Sequence, residues 1–114
     1  MIPAGVEIFI GLDPIDLRWG FDRLCDVVRE HIGRDARSGA LFVFFGRRRE
    51  ALKVLYADRT GICVFYKRLD GGRFQLPSAS EGVTSLRIEE HVLQDLLDGL
   101  DLEPRIFRKR ITKH

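Results

Sequence analysis

Cysteine is scarce in this chain: Cys25 and Cys63 are the only two among 114 residues, and neither belongs to a paired-cysteine motif. A disulfide framework or a zinc ribbon needs such pairs, so both read as small buried hydrophobes of a protein kept in a reducing compartment. Long apolar runs are missing too. No stretch approaches the roughly 20 apolar residues that cross a bilayer, and Met1-Ile2-Pro3 opens without a cationic segment leading into an apolar run. The expectation is a cytoplasmic protein with no membrane partner.

Constellations that carry chemistry are absent as well. Ser78 and Ser80 have no nearby histidine, and His31 and His91 have no Cys or His at ligand spacing. The "GRRRE" connector lacks the Lys-Ser/Thr ending of a phosphate loop. Asp13, Asp16, Asp22 and Asp26 invite comparison with the metal ligands of a nuclease. Asp13 and Asp16, however, sit where carboxylates answer the free amides of a helix start, and the other two fall on its solvated side. The expectation is a protein that is not an enzyme, with no catalytic residue, cofactor, metal or small-molecule substrate.

What the chain does have is material for a core, with 45% hydrophobic residues in one domain's length. Residues 1–103 are expected to form a single domain and residues 104–114 a basic C-terminal tail. Its charge is segregated beneath a net +2. Residues 47–73 carry eight Lys and Arg against three acids, residues 81–103 one Arg against seven acids, and residues 104–114 five cations and no acid. Such asymmetry points to one polyanion-binding face and a separate acidic one.

Periodicity supplies the elements. "VEIFI" (6–10) reads as a first strand. Asp13-Pro14 then reads as the start of a helix whose apolar stripe is Phe21, Leu24, Cys25, Val28 and Ile32, with Gly33 as its stop. From Leu41 the period changes. "LFVFF" is a continuous apolar run suited to a central strand, "LKVLYA" and "ICVFYKRL" alternate, and "RFQL" (73–76) alternates again. Short polar connectors predict an antiparallel meander, and "DGG" (70–72) is the strongest hairpin signal. After a loop from Pro77 to Gly82, the residues Ile88, Val92, Leu93, Leu96, Leu97 and Leu100 outline a second amphipathic helix. Its acids Glu89, Glu90, Asp95 and Asp98 fall on the exposed side. The fold class is α+β, in the order β-α-β-β-β-β-α, a five-stranded antiparallel sheet with a helix or two covering one face.

In that meander the "GRRRE" and "DGG" connectors open on the same edge. Arg47, Arg48, Arg49, Lys53, Lys67, Arg68 and Arg73 are then candidates for one phosphate-contacting patch, with Arg105, Arg108, Lys109 and Arg110 of the tail as a second contact. No recognition helix with base-reading polar residues is evident, so binding to DNA is expected to be electrostatic and weakly sequence-specific. A different class of function would use the acidic helix face, Glu89, Glu90 and Asp95, to meet a basic protein partner, with Arg18 and Trp19 as additional contacts.

Longer blocks carry a family resemblance. Asp16-Leu17-Arg18-Trp19-Gly20 corresponds to an Asp-Met-Arg-Lys-Gly motif. Phe44, Arg47 and Arg48 correspond to Phe-x-x-Arg-Arg, and Lys67, Arg68, Leu69, Gly72, Arg73 and Phe74 to Lys-Arg-Leu-x-x-Gly-Arg-Phe. On these blocks the chain resembles the TnpB (second reading frame) accessory proteins of bacterial insertion sequences of the IS-sixty-six type. Trp19 stands where that family usually has a cation, Phe45 where a polar or cationic residue is common, and Ala57 where an aromatic is frequent. The resemblance implies a non-catalytic factor encoded beside a transposase and needed for efficient transposition. Element-end DNA and the transposase, or another element-encoded protein, are its implied partners.

Overall fold

The computed structural model describes residues 5–76 and 78–98 of the chain. Five strands form one sheet: β1 (Ile8–Gly11), β2 (Leu41–Phe45), β3 (Ala51–Ala57), β4 (Ile62–Arg68) and β5 (Ser85–Ile88). Among the described residues two helices complete it. The first, α1 (Phe21–Val27), continues into a wider π turn (Val28–Ile32), and α2 spans Glu90–Leu97. The α+β class, the element order and the mostly antiparallel five-stranded sheet match the sequence reading.

The arrangement within the sheet differs from a simple meander. Its spatial order is β4-β3-β2-β1-β5. β2, β3 and β4 are the expected antiparallel run. β1, however, lies parallel to β2 with Ile8, Phe9 and Ile10 opposite Leu41, Phe42 and Val43. A helical crossover returns the chain to the same end of the sheet, which makes the pair parallel. The fifth strand is Ser85–Ile88, antiparallel to β1, and not Arg73–Leu76. The alternation of "RFQL" has another use: Phe74 and Leu76 are buried, and the Phe74 ring packs on Phe45 with centroids 5.6 Å apart. Burial in the core, not pairing with β4, is the use the segment finds.

The helices lie on opposite faces of the sheet, not on one. One core cluster joins Ile8, Ile10, Val43, Phe45, Leu52 and Val54 to Phe74, Leu76 and the α2 residues Leu93 and Leu96. The other joins Phe9, Phe42, Phe44 and Leu55 to Ile15, Leu24, Val27 and Val28 on the α1 side. This explains the unbroken apolar run of "LFVFF": a central strand covered on both faces buries Phe42 to Phe45 and half-buries Leu41.

The first helix starts later than its sequence signals. Gly20 precedes it without any side-chain cap, and Asp13-Pro14 belongs to an extended segment in which Ile15 donates its amide to the Phe45 carbonyl at 2.8 Å. Ile15 is buried, so the segment is held against β2 instead of coiling. Of the expected stripe, Leu24 and Val28 are buried, whereas Phe21 at the first position is 53% exposed. Gly33 ends the helical stretch in a left-handed conformation, φ 75°, and donates its amide to Val28. Ile88 belongs to β5, and Leu100 and the tail cations Arg105, Arg108, Lys109 and Arg110 fall outside the described residues. No helix among the described residues is long and apolar enough to cross a membrane.

Candidate nucleic-acid interface

Three pieces of chain meet at one end of the sheet. The first is the β2–β3 connector, residues 46–50, which folds tightly: Arg49 donates its amide to the Gly46 carbonyl at 2.9 Å and adopts φ 59°. A left-handed, non-glycine residue is uncommon, and here it turns the run of three arginines outward. The second piece is the segment after β4. Leu69 donates its amide to the Glu50 carbonyl at 2.9 Å, and Phe74 to the Arg49 carbonyl at 2.7 Å. These two bonds lash the two basic segments side by side. Arg47, Arg48, Arg49, Arg68 and Arg73 are all exposed there.

The third piece is the Asp16–Gly20 motif. The Ile15–Gly46 bridge brings it beside the connector, and contact is close. A Cβ on Gly46 would lie 2.7 Å from a methyl of Leu17, so any larger residue there would have to displace the Leu17 side chain. Arg18, 90% exposed at its side chain, is held by Asp16 through a fork of Nε to Oδ1 at 3.0 Å and Nη2 to Oδ2 at 2.7 Å. The Arg18 backbone amide also donates to Oδ1 at 2.9 Å. The Arg18 guanidinium, then its amide, hold the Asp16 carboxyl down at about 2. Asp16 therefore closes a turn and orients a cation, where the sequence suggested a helix start.

Two candidate cations do other work. Lys53 is only 9% exposed, and its ammonium donates to the Trp19 carbonyl at 2.9 Å and sits 5.2 Å from the Tyr66 ring. A lysine on a central strand can span apolar neighbours with its methylenes and deliver its charge to one carbonyl. It tethers the Asp16–Gly20 motif and is not part of the exposed set. Lys67 projects to the α2 side, half-buried, and donates to the carbonyl of Leu97 in the last turn of α2. That carbonyl carries the negative end of the helix dipole, a natural seat for an ammonium. Arg68, one residue on, points to the other face, where the Tyr66 hydroxyl beside its guanidinium pushes its pKa further up. Tyr66 itself is 47% exposed, a member of this surface that charge counting passes over; its place two residues before Arg68 on one strand face is the signal that could have found it.

The acidic set is arranged differently. Glu89 and Glu90 are exposed at the start of α2 and share a shallow depression with His91, Gln94 and the half-buried Asp95. Trp19 packs with the α1-side cluster, on the opposite face of the sheet, so the structure does not gather Arg18 and Trp19 with these acids. Asp13 pairs with His31 at 3.3 Å and Asp26 with Arg29 at 2.8 Å. Among the described residues no three His, Cys, Asp or Glu side chains are placed to hold a metal ion.

Fold and geometry together define a small α+β protein whose most distinctive surface is an arginine-rich sheet end. The chain belongs to the family described as IS66 Orf2 like protein, whose match covers residues 6–106. Membership points to an accessory role in the transposition of IS66-type insertion sequences, in a family that is not generally catalytic. Two relatives from Sinorhizobium fredii, both called uncharacterized protein, align along most of their length. One, y4hO, is 42% identical over 89% of this chain and 88% of its own, and the other, y4jC, is 31% identical over 96% and 91%. No solved structure matches the chain.

Proposed function

We propose that this protein is a non-enzymatic accessory factor in insertion-sequence transposition that holds DNA phosphates through Arg47, Arg48, Arg49, Arg68 and Arg73, with Arg18 beside them. The observation that carries this reading is the pair of backbone bonds from Leu69 to Glu50 and from Phe74 to Arg49, which keep two separate basic segments in one cluster. Each guanidinium can fork two parallel hydrogen bonds onto phosphate oxygens, and a cluster of them meets several phosphates together. The tail cations Arg105, Arg108, Lys109 and Arg110 would add to the same electrostatic attraction. Binding of this kind tolerates sequence and is strongly salt-dependent.

The test is the dissociation constant for a duplex carrying the element's terminal repeat and for a scrambled duplex across a salt series. The logarithmic slope should be about −0.9 per phosphate neutralised, with similar affinities for both duplexes. A folded variant with Arg47, Arg48, Arg68 and Arg73 all changed to Glu should lose duplex binding; undiminished binding by that variant would sink the assignment.

A second reading rests on the exposed Glu89 and Glu90 at the start of α2, away from the arginines. They would meet a basic surface of the transposase or of another element-encoded protein. It predicts a complex that forms at low salt and weakens when both are changed to Lys; failure to co-purify with any element-encoded protein at low salt counts against it.

A further inference from the structure

The arginine-rich end is not flat. Between the Asp16–Gly20 motif and the connector lies a cleft of about 380 Å³, lined by Pro14, Ile15, Leu17, Trp19, Gly46 and Arg47, with Asp16 on its wall. We infer that this cleft receives one unstacked nucleobase against Trp19, so that the protein prefers single-stranded or locally melted DNA to intact duplex. The inference rests on the phosphate-binding reading and names the form of DNA that the site takes.

Four features converge on a base. Trp19 is the one tryptophan of the chain, half-buried, and its backbone is held by the Lys53 ammonium bonding its carbonyl. An indole offers a broad face for stacking, and every base has a face to stack on it. The Arg23 guanidinium already lies 4.6 Å over the Trp19 ring, so the ring accepts a planar cationic group. Arg23 is half-exposed and paired only at 3.3 Å with Glu30, and a guanidinium is itself a plane on which bases stack, so it can shift to form a second layer.

Next, one cation lines the cleft, and a second is held by an acid of its wall, where the phosphates flanking an inserted base would run. Arg47 forms part of the wall, and Arg18 is held in place by the Asp16 fork. That fork uses Nε and Nη2 and leaves Nη1 of Arg18 to reach outward, so the cation is oriented before DNA arrives. Finally, the aromatic group lies in a recess, not on a protruding tip. A base paired within a duplex cannot enter it, whereas a base that has left the stack can, and the energy of unstacking then favours strands already open.

The test uses the full chain and three probes of equal length, about 12 nucleotides, near the site sizes of single-strand binders. They are a mixed-sequence single strand, its duplex, and a strand of abasic residues that keeps the phosphates and lacks the bases. Trp19 fluorescence reports stacking directly. The expected result is quenching by the single strand, little quenching by the other two, and about tenfold tighter binding of the single strand than of the abasic strand. Trp19→Ala should erase that tenfold difference, and Trp19→Phe should retain most of it. Because Trp19 also packs on the core, the comparison of intact with abasic strand on the unaltered protein decides the matter if Trp19→Ala fails to fold. Equal affinity for intact and abasic strands without quenching overturns the base cleft and leaves the phosphate reading standing. Absence of binding to all three probes at low salt overturns both.

Discussion

Asp16 shows how much one carboxylate can organise. Its ordinary value of 3.8 is lowered to about 2, first by the Arg18 guanidinium and next by the Arg18 amide. A depressed carboxylate contributes stability that is present above its unfolded value and lost as pH falls through the folded one. The fork between Asp16 and Arg18 is therefore expected to be intact above about pH 4 and to open towards pH 2. Titration of the Asp16 carboxyl followed by NMR checks this, and in an Arg18→Ala variant the midpoint should return towards 3.8. Lys53 acts in the opposite sense to its sequence appearance, as a tether and not a contact. Lys53→Met leaves the Trp19 carbonyl without its partner and should cost about 1–3 kcal/mol in a urea titration. If the salt slope of DNA binding falls by a full phosphate in that variant, Lys53 belongs to the interface after all.

At the scale of elements, "RFQL" is the most informative segment. It carries the alternation of a strand, and the sequence placed it beside β4. Phe74 and Leu76 instead plug the α2 side of the core, and among the described residues the outer edge of β4 has no partner strand. Amide exchange distinguishes the two arrangements. The β5 amides that pair with β1 and the Phe74 amide on Arg49 should be protected, while the Gln75 amide, outside any ladder, should exchange fast. Phe74→Ala removes a fully buried ring and is expected to destabilise the fold by about 3–5 kcal/mol, measured by denaturant midpoint. Because Phe74 also ties the second basic segment to the connector, the variant should weaken duplex binding without removing any charge.

For the whole molecule, what matters is which cations share an end. The β2–β3 connector and the segment after β4 lie at one end of the sheet, and the β3–β4 turn, Asp58 to Gly61, lies at the other. Arg59 in that turn has the same charge as Arg47 and the wrong address. Arg59→Ala should leave duplex affinity within about twofold, whereas Arg47→Ala, on the proposed phosphate-binding role, should flatten the salt slope by about one unit. Equal effects from both would mean that the protein attracts DNA by net charge alone.

Periodicity, the glycine stop and the charge blocks were enough to establish an α+β chain in the order β-α-β-β-β-β-α, three of its sheet's strands in their antiparallel order, and two basic connectors on one edge. These are local properties: burial alternates with the pleat, and a short polar connector can only return a strand beside its neighbour. Whether a cation faces water or a carbonyl is not local. Lys53 and Lys67 look in the sequence like Arg68, but which of them reaches Trp19, Leu97 or solvent depends on the layers packed above and below their strands. The parallel place of β1, the late start of α1 and the capture of Phe74 were likewise decided by tertiary structure. The crossover through α1 makes β1 parallel, whereas burial of Ile15 against β2 outweighed a cap worth only about 1 kcal/mol and burial of Phe74 against Phe45 outweighed the hairpin signal.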